Sequence, residues 1–193
     1  MEEGITVLQH TITVYCSSSD AVSEVYQAAA CELGRLIVER GYLLVYGGSR
    51  SGLMGLVSEA ALAAGGTVIG IMPELFQAAR AAHNTEIELI ITDGMRARKA
   101  MMEDRADAFI ALPGGFGTFE EVLEVITNKQ LALHHKPIVL LNINDYYAPL
   151  LAQVETAVAQ HFIRPEYRNL FTVATTPIAA LDAVATGIVP HRA

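Results

Sequence analysis

Three loops and one basic turn hold the residue types and spacings that could do chemistry. In Pro113-Gly114-Gly115-Phe116-Gly117-Thr118-Phe119-Glu120-Glu121, three glycines let the backbone come close to an anion, and a threonine stands where a helix would begin. That composition reads as a phosphate cradle; the plainer reading is a tight turn from strand into helix. The second loop is Tyr46-Gly47-Gly48-Ser49-Arg50-Ser51-Gly52-Leu53-Met54-Gly55. Leu53 follows Gly52 where a Walker A loop has lysine, and G-x-G-x-x-G is absent, which counts against kinase and hydride-transfer chemistry. The third is Cys16-Ser17-Ser18-Ser19-Asp20. In the basic turn, Met95-Arg96-Ala97-Arg98-Lys99-Ala100-Met101-Met102, helical spacing puts Met95, Arg98, Met102 and Arg105 on one face. An arginine among apolar neighbours is a candidate for binding; the alternative is a solvated helix with Lys99 paired to Glu103.

These segments need a scaffold, and short β-rich apolar runs alternating with helical stretches supply one. The alternation predicts a doubly wound α/β fold, a parallel sheet with helices on both faces, and the length fits one domain spanning 1–193. Strands are expected at Thr11–Cys16, Tyr42–Tyr46, Thr67–Ile71, Ile87–Ile91, Ala106–Ala111, Pro137–Leu141 and Leu170–Ala174, with helices starting near Asp20, Ser51, Gly94, Thr118, Asp145 and Thr176. Asp20, Thr118, Asp145 and Thr176 read as N-caps, and Gly41 and Gly65-Gly66 as C-terminal punctuation. In such sheets ligands bind outside the carboxyl ends of the strands, where the three loops fall.

Composition narrows the partners. A net charge of −8 with only three lysines, Lys99, Lys129 and Lys136, argues against nucleic acid. The apolar runs, such as Phe109–Leu112 and Ile138–Leu141, fall far short of the roughly 20 residues that cross a bilayer. The acidic Met1-Glu2-Glu3-Gly4 lacks a signal peptide's basic region, so no membrane association and a cytoplasmic location are expected. Cys16 and Cys31 read as reduced and mostly buried. His10, His83, His134, His135, His161 and His191 show no metal-ligand spacing and read as surface or capping residues.

Taken together, Gly48-x-x-x-Gly52-Leu53-Met54-Gly55, Met95-x-x-Arg98-Lys99 and Pro113-Gly114-Gly115-x-Gly117-Thr118-x-x-Glu121 resemble the "Lonely Guy" family of cytokinin riboside 5′-monophosphate phosphoribohydrolases. The likeness runs from about Thr13 to Ala180. It implies a Rossmann-like homodimer that takes a small-molecule nucleotide and releases an adenine-type base and ribose 5-phosphate, with no metal or other cofactor. It implies that Arg98 and Glu121 are the catalytic pair and that Gly114, Gly115, Phe116, Gly117 and Thr118 hold the phosphate. Ser18, Gly48, Met95, Lys99 and Thr127 complete the expected substrate-binding set. The chain departs from the family at Ser17, Ser49 and Arg96, which bears on fine substrate preference.

Members of this family often carry the label lysine decarboxylase, which the three lysines do not support, since a pyridoxal enzyme needs a Schiff-base lysine and a partner for the pyridine nitrogen. The alternative of another class is a non-catalytic nucleotide or molybdenum-cofactor carrier on the same fold; a general AMP hydrolase is a third. Glu121 itself has two readings. Thr118-x-x-Glu121 matches a capping box, whereas a carboxylate beside the ribose could stabilise positive charge in the ring or activate water. Arginine stays protonated, so Arg98 is assigned to binding and to fixing Glu121.

Overall fold

A computed structural model of the chain describes residues 9–76 and 86–188. His83 and His191 lie outside the described residues. The strands are β1 (Thr11–Tyr15), β2 (Leu43–Tyr46), β3 (Val68–Pro73), β4 (Glu88–Thr92), β5 (Ala108–Ala111), β6 (Ile138–Leu141) and β7 (Thr172–Ala174). The helices are α1 (Glu24–Glu39), α2 (Gly52–Ala63), α3 (Met95–Arg105), α4 (Phe116–Gln130), α5 (Ala148–Ala159) and α6 (Pro177–Gly187). One seven-stranded sheet results, in the order β4-β3-β2-β1-β5-β6-β7, with every pairing parallel. All seven expected strands form. This is the doubly wound α/β architecture.

A parallel sheet sheathed on both faces needs apolar side chains in both directions, and β3, β5 and β6 are buried at every residue. Against one face, α1, α2 and α6 pack Leu33, Ile37, Leu53, Val57, Leu181 and Val184 onto Ile12, Val14 and Leu44. Against the other, α3 and α4 bring Met102, Val122 and Val125 onto Tyr15, Val45, Phe109 and Leu140. The strand order reverses between β1 and β5: chain growth runs outward from β1 through β2 to β4, then returns to β5 on its other side. That is where an open α/β sheet leaves a crevice.

The punctuation agrees in part with the sequence. Gly41 and Gly65 take φ of 78° and 79°, the left-handed region that a side chain disfavours, where α1 and α2 end. Thr176 caps α6, its hydroxyl accepting the Ala179 N–H at 3.2 Å. Three expected caps are corrected. Helix α1 starts at Glu24 after Ser23, and Asp20 instead accepts the Gly52 N–H of α2 at 2.6 Å. Helix α4 starts at Phe116 after Gly115, so Thr118 lies at its third position and caps nothing. Asp145 belongs to a short 3₁₀ turn, Ile143–Asp145, and α5 starts only at Ala148. Both cysteines are free, Cys16 buried and Cys31 half-buried.

Candidate active site

The loops after β1, β2 and β5 are sewn together by backbone bonds at the crevice. The Ser17 N–H donates to the Pro113 carbonyl at 3.3 Å, and the Met54 N–H donates to the Ser17 carbonyl at 3.2 Å. With the Asp20 to Gly52 bond, these contacts fix three non-adjacent stretches around a cavity of about 550 Å³. Its polar wall is Ser17, Ser18 and Ser19 with the turn Gly115–Thr118, and its apolar wall includes Met54, Met72 and Pro73.

Helix α4 presents its first turn to this cavity. Its N-terminal N–H groups have no intrahelical acceptors, and the helix dipole favours negative charge there. Gly114 is required by close packing: a Cβ built on it would lie 2.0 Å from the Thr118 hydroxyl oxygen. Thr118 is thus buried against the turn it was expected to cap. Phe116 projects outward with 92% of its surface exposed, at the cavity's rim.

The floor is charged. Arg98, on the first turn of α3, is 4% exposed and Glu121, on the second turn of α4, is 5% exposed. Arg98 Nη1 donates to Glu121 Oε1 at 2.6 Å, Nε donates to the Ile71 carbonyl at 3.0 Å, and Nη2 to the Gly47 carbonyl at 3.4 Å. One guanidinium therefore ties the carboxyl ends of β2 and β3 to α4. Gly47 is the position that permits it, because a Cβ there would stand 2.0 Å from Nη2. Burial pushes the Glu121 carboxyl above its ordinary value, against the opposing pull of Arg98. Glu121 bonds Arg98 and not a helix-terminal N–H, which removes the capping-box reading. Cys16 also faces the cavity, and burial pushes its thiol pKa up, against the thiolate form.

Of the expected site residues, Ser18, Met95, Arg98, Gly115, Phe116, Gly117, Thr118 and Glu121 line the cavity. Gly48 and Gly114 sit just behind it, between lining neighbours or beside them. Lys99 and Thr127 do not reach it. Lys99 is held by Glu120 and, at 2.9 Å, by Glu124, and not by Glu103. Thr127 is exposed on α4, its hydroxyl donating to the Leu123 carbonyl. Helical spacing did place Arg98 and Met102 inside, but Met95 and Arg105 are exposed. The sequence reading missed the cavity wall at Met72, Pro73 and Phe76. Its expected third strand stopped at Ile71, yet the rule that sites lie off carboxyl ends applied there too. His134 is also corrected: 8% exposed, it bonds the Val125 carbonyl through Nε2 and accepts the Lys136 N–H.

The fold and the crevice define a Rossmann-like α/β protein whose cavity, at the strand-order reversal, is walled by a glycine turn and floored by a buried arginine–glutamate pair. Comparison with known sequences goes further: the family model described as "Possible lysine decarboxylase" matches residues 54–184, and the chain belongs to that family. A cytokinin riboside 5′-monophosphate phosphoribohydrolase from Rhodococcoides fascians is 46% identical over 175 residues, 90% of this chain and 88% of the relative. A probable enzyme of the same name from Oryza sativa subsp. japonica is 47% identical over 166 residues, 86% of this chain and 68% of its own. Among solved structures, the molybdenum cofactor binding protein of Rippkaea orientalis has a TM-score of 0.69 at 26% identity, covering 92% of this chain and 96% of that one.

Proposed function

We propose that this chain hydrolyses the N-glycosidic bond of an adenine-type nucleoside 5′-monophosphate, a cytokinin riboside 5′-monophosphate or AMP, giving free base and ribose 5-phosphate. The observation that carries this reading is the buried Arg98–Glu121 pair opening onto the same cavity as the glycine turn. The names of the enzymes that share 46% and 47% of the sequence support it.

The chemistry follows from where charge develops. The phosphate binds at the first turn of α4, where backbone N–H groups favour an anion. Its binding energy fixes the ribose, since it lies far from the breaking bond. As the bond between ribose C1′ and the base nitrogen breaks, its electron pair leaves with the base and positive charge builds on the ribose ring. Glu121 stabilises that charge or takes a proton from the attacking water; the water's oxygen ends on C1′ as the hydroxyl, and the departing base nitrogen takes up one proton in exchange for the one that water gives up. Oε1 is engaged by Arg98. Arg98 stays charged and holds the carboxylate in place.

Decarboxylation of lysine does not fit, because none of Lys99, Lys129 and Lys136 lines the cavity. A carrier role, suggested by the shared fold, leaves the buried pair without a task. Two further expectations complete the reading. Phe116 and Leu123 on α4 and Leu131 just past its end are exposed at intervals of seven and eight residues, which supports a homodimer. The two reduced cysteines suit the cytoplasm.

Incubating the protein with AMP and with N6-isopentenyl-AMP, followed by chromatography for free base and ribose 5-phosphate, tests the reaction. Base release from nucleotides but scarcely from the matching ribosides is the expected result. No release from either nucleotide overturns the proposal.

A further inference from the structure

The glycine turn has a second unusual property: its carbonyls are held one after another. Tyr147 Oη donates to the Leu112 carbonyl at 2.7 Å, the Ser17 N–H to the Pro113 carbonyl at 3.3 Å, and Tyr146 Oη to the Gly114 carbonyl at 2.5 Å. The Phe119 N–H then takes the Gly115 carbonyl at 3.0 Å, inside α4.

We propose that Tyr146 is a positioning residue for the anion site, its hydroxyl setting the orientation of the Gly114–Gly115 peptide and so aiming the Gly115 N–H at the phosphate. The inference rests on reading this turn as the phosphate cradle. In a planar trans peptide the carbonyl of one residue and the N–H of the next point in opposite directions. Anchoring the Gly114 oxygen on Tyr146 therefore turns the Gly115 N–H away from Tyr146, and Gly115 lines the cavity. A peptide between two glycines has no Cβ on either side to resist rotation, so it needs an external anchor.

Tyr147 provides the internal contrast. It makes the same kind of bond two residues earlier in the turn, but the peptide it holds continues into Pro113, which has no N–H to aim. Holding the Leu112 carbonyl orients no donor.

The placement of both rings is set in the turn after β6. Asn144 and Asp145 take φ of 50° and 56°, a left-handed pair that asparagine and aspartate tolerate best, and the Asn142 side chain accepts the Tyr147 N–H at 2.7 Å. The Tyr146 ring is then gripped by Tyr26 at 5.9 Å, Phe119 at 6.3 Å and Tyr147 at 5.2 Å between centroids. Packing on three rings keeps a phenylalanine in the same place, so the hydroxyl can be removed alone.

The experiment compares wild type, Tyr146→Phe and Tyr147→Phe. Ribose 5-phosphate, inorganic phosphate and adenosine affinities are measured by calorimetry, kcat and KM with AMP by assay, and Tm by thermal melting. Tyr146→Phe should weaken ribose 5-phosphate and phosphate by about 3- to 10-fold, the worth of one hydrogen bond, and raise KM more than it lowers kcat. Its adenosine affinity should hold. Tyr147→Phe should lower Tm and leave phosphate affinity at the wild-type value. Wild-type phosphate affinity in Tyr146→Phe, or an equal loss in Tyr147→Phe, overturns the inference and leaves the cradle reading standing. If wild type binds neither ribose 5-phosphate nor phosphate, both fall together.

Discussion

A carboxylate can serve as a base only if it is ionised, and at Glu121 burial and Arg98 pull in opposite directions, with burial the larger. The acid limb of the kcat profile should therefore sit above the ordinary carboxylate range; a limb at the value of an exposed glutamate would contradict the burial argument. Stability carries the matching sign. The folded state holds this proton to higher pH than the unfolded chain, so the contribution is complete below the ordinary glutamate range and is lost as pH rises through the raised native value. The melting temperature of wild type relative to Glu121→Gln should fall from acid to neutral pH. Turnover separates further: Glu121→Gln should lose on the order of 10² to 10⁴ in kcat, with nucleotide affinity nearly intact. A Gln variant of near-normal kcat would move the catalytic role elsewhere. Glu121→Ala is a harsher change, since it strands a buried guanidinium; such losses cost about 3–5 kcal/mol, visible as a large drop in Tm.

Arg98 couples elements as much as it holds a carboxylate, and Gly47 is where the coupling can be broken without touching either charge. Gly47→Ala should displace the guanidinium and cut kcat by roughly 10- to 100-fold, as small misplacements in a site do, while ribose 5-phosphate affinity stays within error. Equal loss of both would mean the strand ends, and not Arg98, had moved. The same long-range ties explain what could be read from the chain alone. The inner strands were legible because a buried parallel strand leaves a short apolar run, and the three loops at their carboxyl ends were legible from their glycines and serines. Asp20 was misread as a cap because its real partner, Gly52, is 32 residues away, and local spacing sees only nearby N–H groups. Glu121 looked like half of a capping box because Thr118 looked like a helix start. An extended Gly115 moved that start by three residues. Lys99 and Thr127 entered by family likeness, which carries a position but not the direction of its side chain. Tyr146 left no local signal at all, since its partner is 32 residues away across the sheet's end.

At the scale of the whole molecule, the exposed side of α4 makes a definite demand. Light scattering of wild type should give the dimer mass, and Leu123→Asp, which adds charge on a half-exposed position outside the cavity, should give the monomer. A wild-type protein that is monomeric at micromolar concentration and still active would remove the second copy from the account. The sheet order has a different outcome, one that concerns time. Strand β1 pairs on one side with β2, soon after it in the chain, and on the other with β5; the Thr11 N–H meets the Asp107 carboxylate across 96 positions. A ribosome that has made only the first four strands has produced half a sheet whose central strand lies bare along one edge, with Ile12 and Val14 on one face and Tyr15 on the other. Long-range closure of that kind is slow, and an open apolar edge invites pairing with other chains. The crevice straddles the same seam, so it is absent until β5 arrives and docks. In a refolding experiment, backbone order should return before turnover does, and the nascent enzyme needs protection until its fifth strand is made.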